Sequence, residues 1–152
     1  MTTITFWTAT GVEVPAVTTD QMREIDRIAM ETRPNLFQMM ENAGRSLAEM
    51  ALECLGANWR QARIVVLAGS GGNGGGGITA AHHLANHRAR VELCLASPDQ
   101  HGENPAWQRK VFRSTNGREV LPQDLDKGAS EIILDALVGI ASNRRHAAFS
   151  LT

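Results

Sequence analysis

The chain has 152 residues, of which 43% are hydrophobic and 20% charged, and its formal net charge is -1. That length fits one domain of ordinary size with a real core, and the apolar content argues against global disorder. The near-neutral balance lacks the basic field that draws nucleic acid or anionic membranes, and no apolar run approaches the roughly 20 residues needed to span a bilayer.

The N-terminal stretch "MTTITFWTATGVEVPAV" has no charged leader and no continuous apolar segment of the secretory kind, so a soluble cytoplasmic protein is expected. Residues 1–17, rich in threonine and β-branched side chains, read as an irregular or extended arm, and residues 18–152 read as one domain. "TTDQ" opens a helix, with Thr18 as the cap and Gln21 at the reciprocal position. Met22, Ile25, Ile28 and Ala29 follow at helical spacing. Pro34 separates this helix from a second one. Leu36, Met39, Met40, Ala43, Leu47, Met50, Ala51 and Cys54 mark its expected inward face, and Gly56 its stop. "RIVVLA" (63–68) reads as a strand, followed by the glycine-rich stretch and then a helix through Ile78, Ala81, Leu84 and Ala85. A second strand is expected over 90–96. A helix is expected over 104–114 with Trp107, Val111 and Phe112 inward. Weaker and stronger strands follow at 118–122 and 131–137. Strands that alternate with helices imply a mostly parallel sheet covered on both faces. Cys54 and Cys94 lack a CxxC spacing and read as small buried hydrophobes in a reducing compartment rather than as a disulfide.

"AGSGGNGGGG" (68–77) lies directly between the first strong strand and its helix. In an open parallel sheet, ligands gather at the carboxyl ends of strands. Bare backbone there can offer N–H groups to a phosphate, helped by the helix N-terminus. The dinucleotide pattern GxGxxG is matched twice, from Gly69 and from Gly72, so the match itself says little. Its usual companion, an acid at the end of the second strand, is not in place: Glu92 lies inside that strand and Asp99 beyond it. A P-loop is excluded, since no Gly-Lys-Ser/Thr closes the stretch. Asn73 either holds a turn or offers an amide oxygen to a ligand or a hard cation. Asp135, at the expected end of a buried strand, needs a partner and could meet Asn73 on one cation. His82, His83 and His87 follow on the next helix. His83 and His87 share a face, but no adjacent Glu completes a zinc motif, and all three read as solvated surface residues. Arg144 and Arg145 either clamp a phosphate or keep a tail soluble.

Four blocks, "TTDQMREIDRIAM", "MENAGRSLAEMALECL", "VVLAGSGGNGGGGITAAHHLA" and "IILDALVGI", together resemble the YjeF N-terminal-domain family, the NAD(P)H-hydrate epimerases, over roughly residues 17–142. The resemblance implies a Rossmann-like three-layer α/β/α sandwich. It implies epimerisation of the R and S forms of hydrated NADH and NADPH at C6 of the nicotinamide ring, in partnership with an NAD(P)H-hydrate dehydratase. It further implies a potassium ion, and homodimers such as relatives form. Carried across, Gly72, Asn73, Gly74, Gly75 and Gly76 line the substrate. Asn73 and Asp135 become potassium ligands. Gly139, Ile140, Ala141, Ser142, Asn143, Arg144 and Arg145 approach the substrate phosphates.

The family's loop reads Gly-Pro-Gly-Asn-Asn-Gly-Gly-Asp-Gly. This chain departs from it at Ser70, Gly72 and Gly76. The family also carries a later Asp-(Ile/Val)-Pro-Ser-Gly motif whose aspartate is the acid/base. Nothing after Asp135 matches it. The chain therefore reads as cut short or frameshifted at its C-terminus, with the sheet incomplete and catalysis severely reduced. Two other readings stay open: a non-catalytic nucleotide-binding or interaction module of the same fold, and an ordinary dinucleotide-binding domain.

Overall fold

In a computed structural model, residues 5–32, 35–99, 103–126 and 128–139 are described. The chain groups into two compact units, Met1–Asn35 and Leu36–Thr152. In the first, the expected extended arm pairs with itself. Strands β1 (Thr5–Trp7) and β2 (Glu13–Pro15) form an antiparallel hairpin, turned at Gly11 with its φ of +80°. Helix α1 (Thr19–Thr32) starts as a capping box: the Thr18 hydroxyl accepts from the Gln21 N–H at 3.3 Å, and the Gln21 side chain accepts from the Thr18 N–H at 2.8 Å.

The second unit is the α/β body. Its elements are α2 (Leu36–Leu55), β3 (Arg63–Ala68), α3 (Gly72–Asn86), β4 (Arg90–Leu95), α4 (Glu103–Phe112), β5 (Arg118–Val120) and β6 (Ile132–Ala136). The four strands run parallel in the order β5-β4-β3-β6. Adjacent parallel strands need a crossover, and the βαβ crossovers here are α3 and α4. The sequence turns back past β3 only after β5, so β3 and β6 meet where the strand order reverses. That is the point at which open α/β sheets hold ligands.

One sheet face is apolar. Ile64, Val66, Ala68, Val91, Leu93, Leu95 and Leu134 join Ala48, Ala51, Ile78, Leu84 and Phe112 in a single core. On the other face, one buried guanidinium holds the β5–β6 connection. Arg63 donates to the Gly128 carbonyl at 2.9 Å, to the Asp126 carbonyl at 2.8 Å and to Glu92 at 2.7 Å. Both charged side chains are buried, at 6% and 3% exposure.

The inward face of α2 differs from expectation. Ala51 is buried as expected, but Gly44 and Ala48 are buried too, while Leu36 and Met50 are exposed and so is Cys54. Size misleads here because α2 and α3 approach closely at Gly44, where a β-carbon would overlap the side chain of Thr79. Trp107 is likewise not inward. It is 49% exposed and meets Phe37 edge-on at 5.8 Å, while Pro105, Gln108 and Phe112 make the buried stripe of α4. Cys94 is buried as expected. Among the described residues, no helix is long and apolar enough to cross a membrane.

Glu119 ties β5 to α4 through Arg109 and Arg113. Burial pushes its carboxyl up, but the two guanidinium groups outweigh this and hold it at about 2. A folded-state value below the usual 4.5 gives stability that is present above that value and lost as pH falls through it towards 2. Urea midpoints taken from about pH 6 down to about pH 3 should fall more steeply for the wild type than for Glu119→Gln.

Candidate active site

The glycine stretch is mostly helix. After Ala68 only Gly69, Ser70 and Gly71 make the turn, and α3 begins at Gly72. Gly71 is the N-cap, extended at φ -93° and ψ -168°, with no side-chain cap bond. The first helical N–H groups, of Gly72, Asn73 and Gly74, therefore have no capping side chain among the described residues. The first intrahelical bond runs from the Gly75 N–H to the Gly71 carbonyl at 3.0 Å.

These glycines have distinct jobs. A β-carbon on Gly69 would overlap the Leu137 carbonyl, one on Gly74 the Gly69 carbonyl, and one on Gly77 the Ala136 side chain. Those three let α3 and the turn sit against the end of β6. Gly71 and Gly72 would meet nothing within 4 Å, and Gly76 only the tip of Met40 at 3.7 Å. At Gly72 and Gly76 packing does not require a bare backbone.

The two residues expected to meet on a cation come from neighbouring segments. Asp135 pairs in register with Leu67 near the carboxyl end of β6, and its side chain is exposed. One carboxylate oxygen accepts the Leu137 N–H at 3.0 Å. The Asn73 amide donates to the Val138 carbonyl at 3.0 Å, which lays the segment after β6 along the start of α3. Gly139 reaches the same place, where a β-carbon on it would sit 3.1 Å from that of Asn73. With the amide nitrogen engaged, the Asn73 oxygen is left as an acceptor among the described residues. Ile140, Ala141, Ser142, Asn143, Arg144 and Arg145 lie outside the described residues.

Glu92 is not a ribose acid. It accepts from Arg63 and from Arg118, the latter at 2.7 Å, and its hydrogen bond to Arg63 holds its carboxyl below the usual range.

The histidines also differ from expectation. His82 is buried at 4% exposure, and His83 bonds Glu41 of α2 at 2.7 Å. His87 turns away to meet Trp59 edge-on. Burial pushes the His82 imidazole down, and neighbouring His83 adds to this against the pull of Glu41. Glu41 lies 42 positions before His83, too far for a spacing argument to pair them.

The pattern of the YjeF-related protein N-terminus matches residues 36–149. The chain belongs to this family. A protein of Dehalogenimonas lykanthroporepellens named NAD(P)H-hydrate epimerase is 48% identical over 135 residues, which make up 88% of this chain and 55% of that protein. One of the same name from Rhodopirellula baltica is 33% identical over 84% of this chain and 53% of its own length. The enhancer of mRNA-decapping protein 3 of Macaca fascicularis is 27% identical over 87% of this chain and 28% of its own length. The crystal structure of yeast ynu0 superposes with a TM-score of 0.77 at 20% identity, covering 89% of this chain and 61% of that one, which shows the fold. The YjeF-related chain thus spans about half the length of the epimerases it matches.

Proposed function

We propose that this YjeF-related domain binds hydrated NADH and NADPH and serves the epimerisation of their R and S forms. The observation that carries the reading is the uncapped start of α3, held against the ends of β3 and β6 by the Asn73–Val138 bond. The N–H groups of Gly72, Asn73 and Gly74 suit an anionic pyrophosphate, and the helix dipole adds to their pull. The names of relatives that resemble 84–88% of this chain supply the chemical class.

The donor set fits a hard cation. The Asn73 amide oxygen, an open acceptor among the described residues, and the exposed carboxylate of Asp135 are both oxygen ligands, which suit a hard cation such as potassium. Such an ion would supply positive charge beside the substrate when bound. This chain's residues do the rest: Gly72 to Gly76 present backbone to the nucleotide, and Gly139, beside Asn73, leads into the segment proposed to meet the phosphates. Bifunctional NAD(P)H-hydrate repair enzymes among the relatives fit partnership with a dehydratase, which clears one epimer while the other is resupplied. Nicotinamide nucleotides are intracellular coenzymes, so the reading carries a cytoplasmic location, and a homodimer is proposed with it.

Incubation with one purified epimer of hydrated NADH tests this. Appearance of the other epimer above the spontaneous rate, followed by chromatography, is the expected result. Tight binding with exchange at the spontaneous rate would favour the binding module. Hydride transfer with intact NAD would favour an ordinary dinucleotide-binding domain.

A further inference from the structure

We infer that Glu41, His82 and His83 form a site for a divalent transition-metal ion of the zinc class, stapling α2 to α3. Consecutive helix residues normally diverge around the axis. Here the two imidazoles instead lie together, with ring centroids 4.3 Å apart and planes 33° apart. Both Nε2 atoms approach one oxygen of Glu41, at 3.5 Å from His82 and 2.7 Å from His83. All three ligand atoms lie within 4.8 Å of one another. Tetrahedral zinc with bonds of about 2.0–2.1 Å sets its ligand atoms about 3.3 Å apart, and the two Glu41 distances fall either side of that. Two imidazoles and a carboxylate are a zinc-type donor set, and the partly exposed side of Glu41 leaves the fourth position to water.

The surroundings point the same way. Gln108 is fully buried and donates to the second oxygen of Glu41 at 3.3 Å, which orients the carboxylate. Two buried atoms beside it have no partner among the described residues: Nδ1 of His82 and Oε1 of Gln108. A histidine that ligates through Nε2 carries its proton on Nδ1 and needs an acceptor there. Gln108 lies beside His82 and offers that acceptor. With Nδ1 protonated, the lone pair of His82 Nε2 faces the carboxylate oxygen across a 3.5 Å gap. Two acceptors so placed repel unless a cation lies between them. One ion on Nε2 would lie between the facing lone pairs and fix the tautomer in which Nδ1 can donate to the Gln108 oxygen.

Cobalt(II) titration of the metal-stripped chain, followed by its visible absorption, tests the assignment. One equivalent should bind with the absorption of a low-coordinate site, and zinc should displace it and raise the melting temperature. Glu41→Gln and His83→Asn, both at partly exposed positions, should each weaken cobalt binding at least tenfold while keeping the wild-type far-ultraviolet circular dichroism. His87→Asn, at a histidine outside the cluster, should bind as the wild type does. Equal affinity in wild type and Glu41→Gln, or loss of binding in His87→Asn, would overturn the site. So would a melting temperature indifferent to zinc.

Discussion

Gly74→Ala should destabilise this protein by about 2–3 kcal/mol, while Gly76→Ala should stabilise it by roughly 0.5–1 kcal/mol. Both residues stand in the same helix, two positions apart, and both are glycine in a run of glycines. Helix propensity alone favours alanine at each by a similar amount. The neighbours decide the difference. A methyl on Gly74 would overlap the Gly69 carbonyl, and neither backbone can yield without moving the turn that joins β3 to α3. A methyl on Gly76 would meet only the flexible end of Met40 at ordinary contact distance. Gly77→Ala should also destabilise, by about 1–3 kcal/mol, because its neighbour is the side chain of Ala136 on β6. Urea denaturation of the three variants measures this directly. Equal midpoints for Gly74→Ala and Gly76→Ala would show that α3 does not sit as close to the turn as described. Gly76→Asp should fold equally well, since a carboxylate near a helix N-terminus is favoured. It would also restore the side chain that the family's loop carries.

Glu92→Leu should cost about 3–5 kcal/mol, more than most single changes, because it strands a buried guanidinium. Arg63 is almost wholly enclosed and spends its donors on Glu92 and on the carbonyls of Asp126 and Gly128. Removal of the carboxylate leaves that charge desolvated and half-partnered. The pair itself need not contribute much: Arg63→Met with Glu92→Leu should recover most of the loss, since burying two apolar side chains avoids both desolvation penalties. The consequence reaches the site. The connection that Arg63 pins leads into β6, which carries Asp135, so Glu92→Leu should loosen ligand binding as well as the fold. A double variant no more stable than Glu92→Leu would show that the cost lies in packing rather than in the orphaned charge.

Much of this architecture was legible beforehand. β-branched runs marked β3, β4 and β6 to within a residue or two, and their alternation with helical patterns implied a parallel sheet. The position of the glycine stretch between strand and helix located the candidate site. Three things escaped. The helix start at Gly72 runs against propensity, because tertiary packing at Gly69, Gly74 and Gly77 rewards bare backbone there. The seam of α2 was caught at Leu47 and Ala51 but not at Gly44 and Ala48, which close helix approach selects in place of larger residues such as Met50. The Glu41–His82–His83 cluster joins residues from two helices, and no local spacing announces such a meeting.

Asn73, Asp135 and the start of α3 are proposed to make one site for a hydrated nicotinamide nucleotide and a potassium ion. Calorimetric titration of the chain with hydrated NADH, in potassium and in sodium buffer, tests it most directly. Binding should be tighter in potassium, and Asp135→Ala should lose that preference while its circular dichroism stays that of the wild type. Binding equal in the two salts, or unchanged in Asp135→Ala, would contradict it.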